Sequence, residues 1–191
     1  MLQAQVLLTL PAWVHDVVDT ARIHASDEDK VVLAVELSRR NIALETGGPF
    51  GAVVFDERHR VVAAGVNVVL PQTTSLAHAE TMAYMLAQQR LQRARLNQDA
   101  EGNRSGHYTL ATSSQPCCQC YGATIWAGID RLLVGARSED VMALTAFDEG
   151  PLPEDWIGEL QARGIQVVRD LQRQAACEVL RTYGQQDGRR Y

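Results

Sequence analysis

Residues 108–135, YTLATSSQPCCQCYGATIWAGIDRLLVG, set the architecture of the chain. Residues 108–113 read as a strand. Pro116 suits the first position of a helix, where its missing N–H costs nothing, and Gly128 stops that helix before a second strand at 131–135. Strand, helix and strand in succession form the unit of a sheet with helices laid across its faces.

The pattern extends in both directions. Upstream, Ser26 with Asp29 marks a helix start, and Val31, Ala34, Val35 and Ile42 recur at helical spacing until Gly47 and Gly48, which predicts a helix over 26–44. Residues 51–55 and 61–69 are β-branched runs on either side of a polar turn at 56–60, an antiparallel hairpin in which Gly65 signals a bulge or a close backbone approach. Met82, Met85 and Leu86, with Gln88 and Arg95 opposite, predict a second long helix over 77–96, followed by a polar loop over 97–106. Downstream, helices at 138–146, 153–163 and 171–183 are interleaved with a strand at 165–168. The expected fold is a mixed sheet covered by helices on both faces, and 191 residues with 46% hydrophobic content suffice for one domain over 1–191.

The net charge of −5 is spread out, and the only basic cluster, Arg90, Arg93 and Arg95, reads as a solvated helix face, which argues against a nucleic-acid partner. Met1 to Leu10 is apolar but carries no basic leader. Pro11 interrupts it well short of the roughly 20 residues a membrane span requires, so neither a span nor a signal peptide is expected. Cys117, Cys118 and Cys120 crowd into four positions and leave only Cys177 elsewhere, which is no disulfide framework and fits a reducing cytoplasm and a bound metal.

Cys117 and Cys120 lie three residues apart at a helix start and so share a face, while Cys118 points elsewhere. The unpaired N–H groups and dipole at that helix end favour the thiolate, the form that binds zinc. His78 is the best third ligand. Glu80, two residues on, lacks the spacing of a co-ligand on the same helix but can reach the same pocket from the first turn. Three ligands leave a fourth position for water, the mark of a catalytic zinc. Two other arrangements remain open on spacing alone: a thioredoxin-like Cys-x-x-Cys redox pair, and a structural zinc with Cys118 or Cys177 as fourth ligand.

His78-Ala79-Glu80 followed by Pro116-Cys117-Cys118-Gln119-Cys120 resembles the zinc signature of the cytidine deaminase superfamily. Within it the chain looks most like the bacterial guanine deaminases, through Gly47-Gly48-Pro49-Phe50-Gly51-Ala52, Asn67, Gly122-Ala123 with Trp126, and Phe147-Asp148-Glu149-Gly150. The resemblance implies a three-layer α/β/α cytidine-deaminase-like fold with a five-stranded mixed sheet. It also implies one Zn2+ per chain on His78, Cys117 and Cys120, with Glu80 moving protons while an exocyclic amine is hydrolysed.

It further implies that Glu149 is a second active-site carboxylate and that Asn67, Phe50, Ala79, Trp126 and Tyr191 contact the substrate. That substrate is guanine or a related amino-heterocycle such as an aminated triazine. Bland readings stand beside these: a strand-end Asn67, core aromatics at Phe50 and Trp126, a solvated loop charge at Glu149, a fraying Tyr191. A cytoplasmic homodimer follows from the same likeness, with residues 171–191 exchanged between subunits or docked on their own. Members acting on transfer RNA adenosine or on cytosine compounds share the signature, and a zinc-stabilised binding module is the non-enzymatic alternative. One departure is Gln115, where guanine deaminases commonly carry Glu.

Overall fold

The computed structural model describes residues 2–186 of the chain. Five strands, β1 Gly51–Phe55, β2 Val61–Val66, β3 Thr109–Ser114, β4 Arg131–Ala136 and β5 Gln166–Val168, form one sheet in the order β2-β1-β3-β4-β5. β1 pairs antiparallel with β2 and β3, while β3, β4 and β5 run parallel, so the sheet is mixed as expected.

Alternate residues of each central strand serve opposite cores, as the two-residue period of a strand requires. Val53, Phe55, Ala111 and Leu133 pack with Val31, Val35 and Leu37 of α2 (Asp27–Ala43) and with Ala176, Val179 and Leu180 of α8 (Arg173–Gln185). Val54, Leu110, Leu132 and Val134 pack with Ala83 and Tyr84 of α4 (Ala79–Leu91), Ala127 of α5 (Cys118–Ala127) and Trp156 and Leu160 of α7 (Trp156–Gln161). The sheet is thus the middle of three layers. α6 (Ser138–Thr145) packs against α8, and α1 (Trp13–Val17) and α3 (Val69–Gln72) complete the described helices.

Several boundaries differ from the sequence expectation for local reasons. α2 starts where Ser26 accepts a bond from the Asp29 N–H at 3.0 Å. β2 ends at Val66 rather than 69 because the Asn67 N–H turns to the Phe50 carbonyl and α3 follows. α4 stops at Leu91, not 96, as Gln92 takes a left-handed conformation (φ 54°) and its N–H returns to the Gln88 carbonyl. Pro116 precedes α5 instead of opening it, and Cys117 takes the cap position.

Gly65 resolves as a close approach: a Cβ there would lie 2.1 Å from the Ala79 carbonyl oxygen. The hairpin's irregularity sits instead between Val54 and Phe55. The polar loop 97–106 is pinned to Asp130, which accepts from Asn97 at 2.9 Å, Arg104 at 2.7 Å and the Tyr108 N–H at 2.8 Å. Those anchors lie at the start of β3 and β4, the end of the sheet away from Cys117. No helix among the described residues is long and apolar enough to cross a membrane.

Candidate active site

Two helix starts converge beyond the C-terminal end of β3, the end of a parallel sheet where ligands bind. His78 caps α4 with an extended backbone (φ −70°, ψ 159°), and Cys117 caps α5 in the same conformation (φ −66°, ψ 176°), with Cys120 one turn on. His78 Nδ1 lies 3.4 Å from Cys117 Sγ and 3.6 Å from Cys120 Sγ, and the three ligand atoms all fall within 4.8 Å of one another. Zn–N of about 2.0 Å and Zn–S of about 2.3 Å in tetrahedral geometry give an N···S edge of about 3.5 Å. The donor set therefore fits zinc without rearrangement, and a fourth ligand from the chain is not needed.

Cys118 is exposed and points away, its Sγ lying 2.5 Å from where a Cβ on Gly150 would be. Gly150 has φ +66°, so both its backbone and its neighbour demand glycine. The Cys118 N–H donates to the Glu149 carbonyl at 2.9 Å, which fastens the 147–150 segment to the start of α5. Cys177 sits on α8, remote from the metal cluster.

Glu80 is 6% exposed and turns its carboxylate toward the cluster: Oε2 accepts from Cys120 Sγ at 3.4 Å and Oε1 from Thr112 Oγ1 at 3.5 Å. Burial and the charge of Cys117 push the Glu80 carboxyl up to about 7. Burial likewise pushes Glu149 up to about 8, aided by the charges of Cys117 and Glu80. Hydrogen bonding from Cys120, joined by His78, pulls Cys117 down to about 4 despite its burial, so one thiolate stands ready for a metal. Cys120 moves the opposite way through its bond to Cys117 and its burial. Burial lowers His78, yet the bond to Cys117 and the Glu80 charge outweigh it and leave the imidazole raised.

A cavity is lined by His78, Glu80 and Cys117 together with Phe50, Asn67, Gln115, Phe147, Asp148 and Glu149. Asn67 is 1% exposed. Its Oδ1 accepts from the Val69 N–H at 3.3 Å, whereas its Nδ2 has no protein partner among the described residues, a buried donor left for a ligand. Phe50 and Phe147 meet tilted at 5.5 Å between ring centroids, and Tyr183 of α8 stacks behind Phe147 at 5.9 Å with 16° between planes.

Of the ten expected site residues, the structure brings seven together: His78, Cys117, Cys120, Glu80, Glu149, Asn67 and Phe50. Ala79 is buried beside the cluster, where Gly65 crosses its carbonyl, and does not line the cavity. Trp126 is a correction: it is neither core nor pocket wall but 71% exposed, because the buried face of α5 carries Cys120, Thr124 and Ala127. Tyr191 lies outside the described residues. The sequence reading missed Thr112 and the lining roles of Phe147, Asp148 and Gln115. Strand alternation, which sets Thr112 on the face shared with Leu110, was the available signal for the first.

Residues 24–136 match the family model for the cytidine and deoxycytidylate deaminase zinc-binding region. The chain belongs to that family. Membership in a zinc-binding family removes the thioredoxin-like alternative, and His78, Cys117 and Cys120 are a group among the described residues that could hold the ion. The deaminase fold recurs in the guanine deaminase of Nitrosomonas europaea, 41% identical over 97% of this chain and 99% of that one, with a TM-score of 0.88. A variant protein solved with 8-azaguanine is also 41% identical, over 95% of this chain and 98% of that one, with a TM-score of 0.87. Among curated deaminases, the probable cytosine deaminase of Schizosaccharomyces pombe is 35% identical over 97 residues. That match spans about half the length of each protein, 51% of this chain and 52% of the other.

Proposed function

We propose that this deaminase hydrolyses a free nucleobase, converting guanine and water to xanthine and ammonia, with aminated triazines such as ammeline as related substrates. The observation that carries the proposal is the cavity itself. It joins the metal cluster to two carboxyls with raised pKa, one orphaned amide donor and two phenylalanine rings. The likeness to a guanine deaminase along almost the whole chain supports it.

His78, Cys117 and Cys120 would hold the zinc, which when bound would supply Lewis acidity at this end of the cavity. Glu80, buried beside the metal ligands, would accept the proton of the attacking water as its oxygen adds to the ring carbon that bears the amine. The same carboxyl returns one proton to the ring nitrogen and carries the next to the amine. The C–N bond then breaks and ammonia leaves. Thr112, donating to Oε1, keeps the carboxylate turned toward the cluster.

Asn67 Nδ2 donates to a ring carbonyl or nitrogen, and the Glu149 carboxyl, in the same cavity lining, hydrogen-bonds the purine. Phe50 and Phe147 bound the ring's apolar faces. The proposal extends to a cytoplasmic homodimer that handles small molecules and not nucleic acid. Net charge −5 disfavours a polyanion, and exposed Trp126 and Leu76 offer apolar surface to a second subunit. Tyr183 of α8 stacks on Phe147 of the cavity wall, while the proposed closure of the pocket by Tyr191 concerns residues beyond those described.

The test is ammonia release by protein carrying about one zinc per chain, offered guanine, ammeline, cytosine and transfer RNA. Release from guanine with xanthine formed is the expected result. Release from cytosine or transfer RNA alone overturns the assignment, as does failure with both guanine and ammeline.

A further inference from the structure

Asn67 can present its free Nδ2 to a ligand only if its backbone is held, and one residue remote from the cavity lining holds it. Asn41, in the last turn of α2, is fully buried. Its Nδ2 donates to the Asn67 carbonyl and to the Gly48 carbonyl, each at 2.8 Å. Its Oδ1 accepts from Thr46 Oγ1 at 2.8 Å, and Thr46 Oγ1 in turn accepts from Trp13 Nε1 at 3.0 Å. A Cβ on Gly47 would lie 1.8 Å from the Asn67 carbonyl oxygen and 2.7 Å from Asn41 Nδ2, so the loop closes on this amide with no room to spare.

Both Nδ2 protons are thus spent on the two backbone segments that carry cavity residues. Residues 46–50 deliver Phe50, and 67–69 deliver Asn67, whose N–H also reaches the Phe50 carbonyl at 3.1 Å. Asn is the side chain that can do this: its NH2 serves two carbonyls while its oxygen takes a hydroxyl. Asp would set an anion against two carbonyl oxygens.

We propose that Asn41 is a positioning residue for substrate recognition, a bracket that joins the 46–50 loop to Asn67 and fixes the Asn67 amide at the cavity. Its link to substrate rests on the nucleobase reading above. Its link to Asn67 does not.

Two measurements on the zinc-loaded protein separate these. In steady-state kinetics with guanine, Asn41→Ser is expected to raise KM about tenfold while kcat stays within threefold. In an Asn67→Ala background, Asn41→Ser should add less than twofold, because it acts through a group already removed. Additive effects, or an unchanged KM, overturn the proposal. The second measurement needs no substrate: the Asn67 side-chain amide signals in 15N NMR should shift or broaden in Asn41→Ser. Unmoved signals overturn the proposal even if guanine is not the substrate. Should Asn41→Ser not fold, Thr46→Val, which strips the bond to Asn41 Oδ1, decides by the same two readouts, with a KM rise of about threefold expected.

Discussion

Glu80 illustrates what a single residue contributes. Its environment raises the carboxyl to about 7, where it can both take and give a proton near neutrality. Glu80→Gln keeps its size and its place beside Thr112 while removing that capacity. We expect kcat to fall by about 10²- to 10⁴-fold with zinc content unchanged, measured by ammonia release and metal analysis. At this scale the sequence was informative where chemistry is local. His78, Glu80, Cys117 and Cys120 were legible because their spacings depend on one helix start each. Trp126 was not, because which side of α5 faces solvent is decided by the sheet beneath it. Asn41 was equally hidden: a polar residue in an apolar helix pattern gives no hint of two carbonyls arriving from distant loops.

Elements are held in register by contacts with measurable consequences. Gly65 lets β2 pass over the first turn of α4, so Gly65→Ala must push away the turn that bears His78 and Glu80. A loss of about 1–3 kcal/mol in urea unfolding, together with weaker zinc retention, is the expected outcome. At the other end of the sheet, Asp27 at the start of α2 takes two bonds from Arg131 of β4, at 2.9 and 2.6 Å, and Arg131 holds its carboxyl below the usual range. A carboxyl lowered in the folded state stabilises above its unfolded pKa and loses that contribution as pH falls through the folded value. Asp27→Asn should therefore cost about 1–3 kcal/mol at pH 7, and the gap from the unsubstituted protein should close as pH falls below 3.8. The long elements were readable from periodicity, with ends displaced by cap chemistry such as left-handed Gln92. The short helices α1 and α3 were not, since four or five residues hold no period.

For the whole molecule, the two core clusters are built from residues other than His78, Cys117 and Cys120, although Cys120 shares the buried face of α5 with Ala127. A chelator should abolish ammonia release while melting falls by only a few degrees, in contrast to a structural site, whose domain unfolds. Association has its own test. If the proposed homodimer forms through the face that bears Trp126, Trp126→Glu should shift the sedimentation coefficient toward that of a single 21.1 kDa chain, and an unchanged value overturns that interface. The layered α/β architecture was evident from alternating element types, whereas partner surfaces leave no periodic trace. The run of ring contacts from Phe50 through Phe147 to Tyr183 adds a dimension of time. A ribosome delivers His78, Cys117 and Cys120 well before Phe147 and Tyr183, so a growing chain owns its metal ligands while the aromatic wall is still unmade. The cavity wall is therefore completed later in synthesis than the metal cluster, and a product truncated ahead of α8 would carry that cluster without Tyr183 behind Phe147.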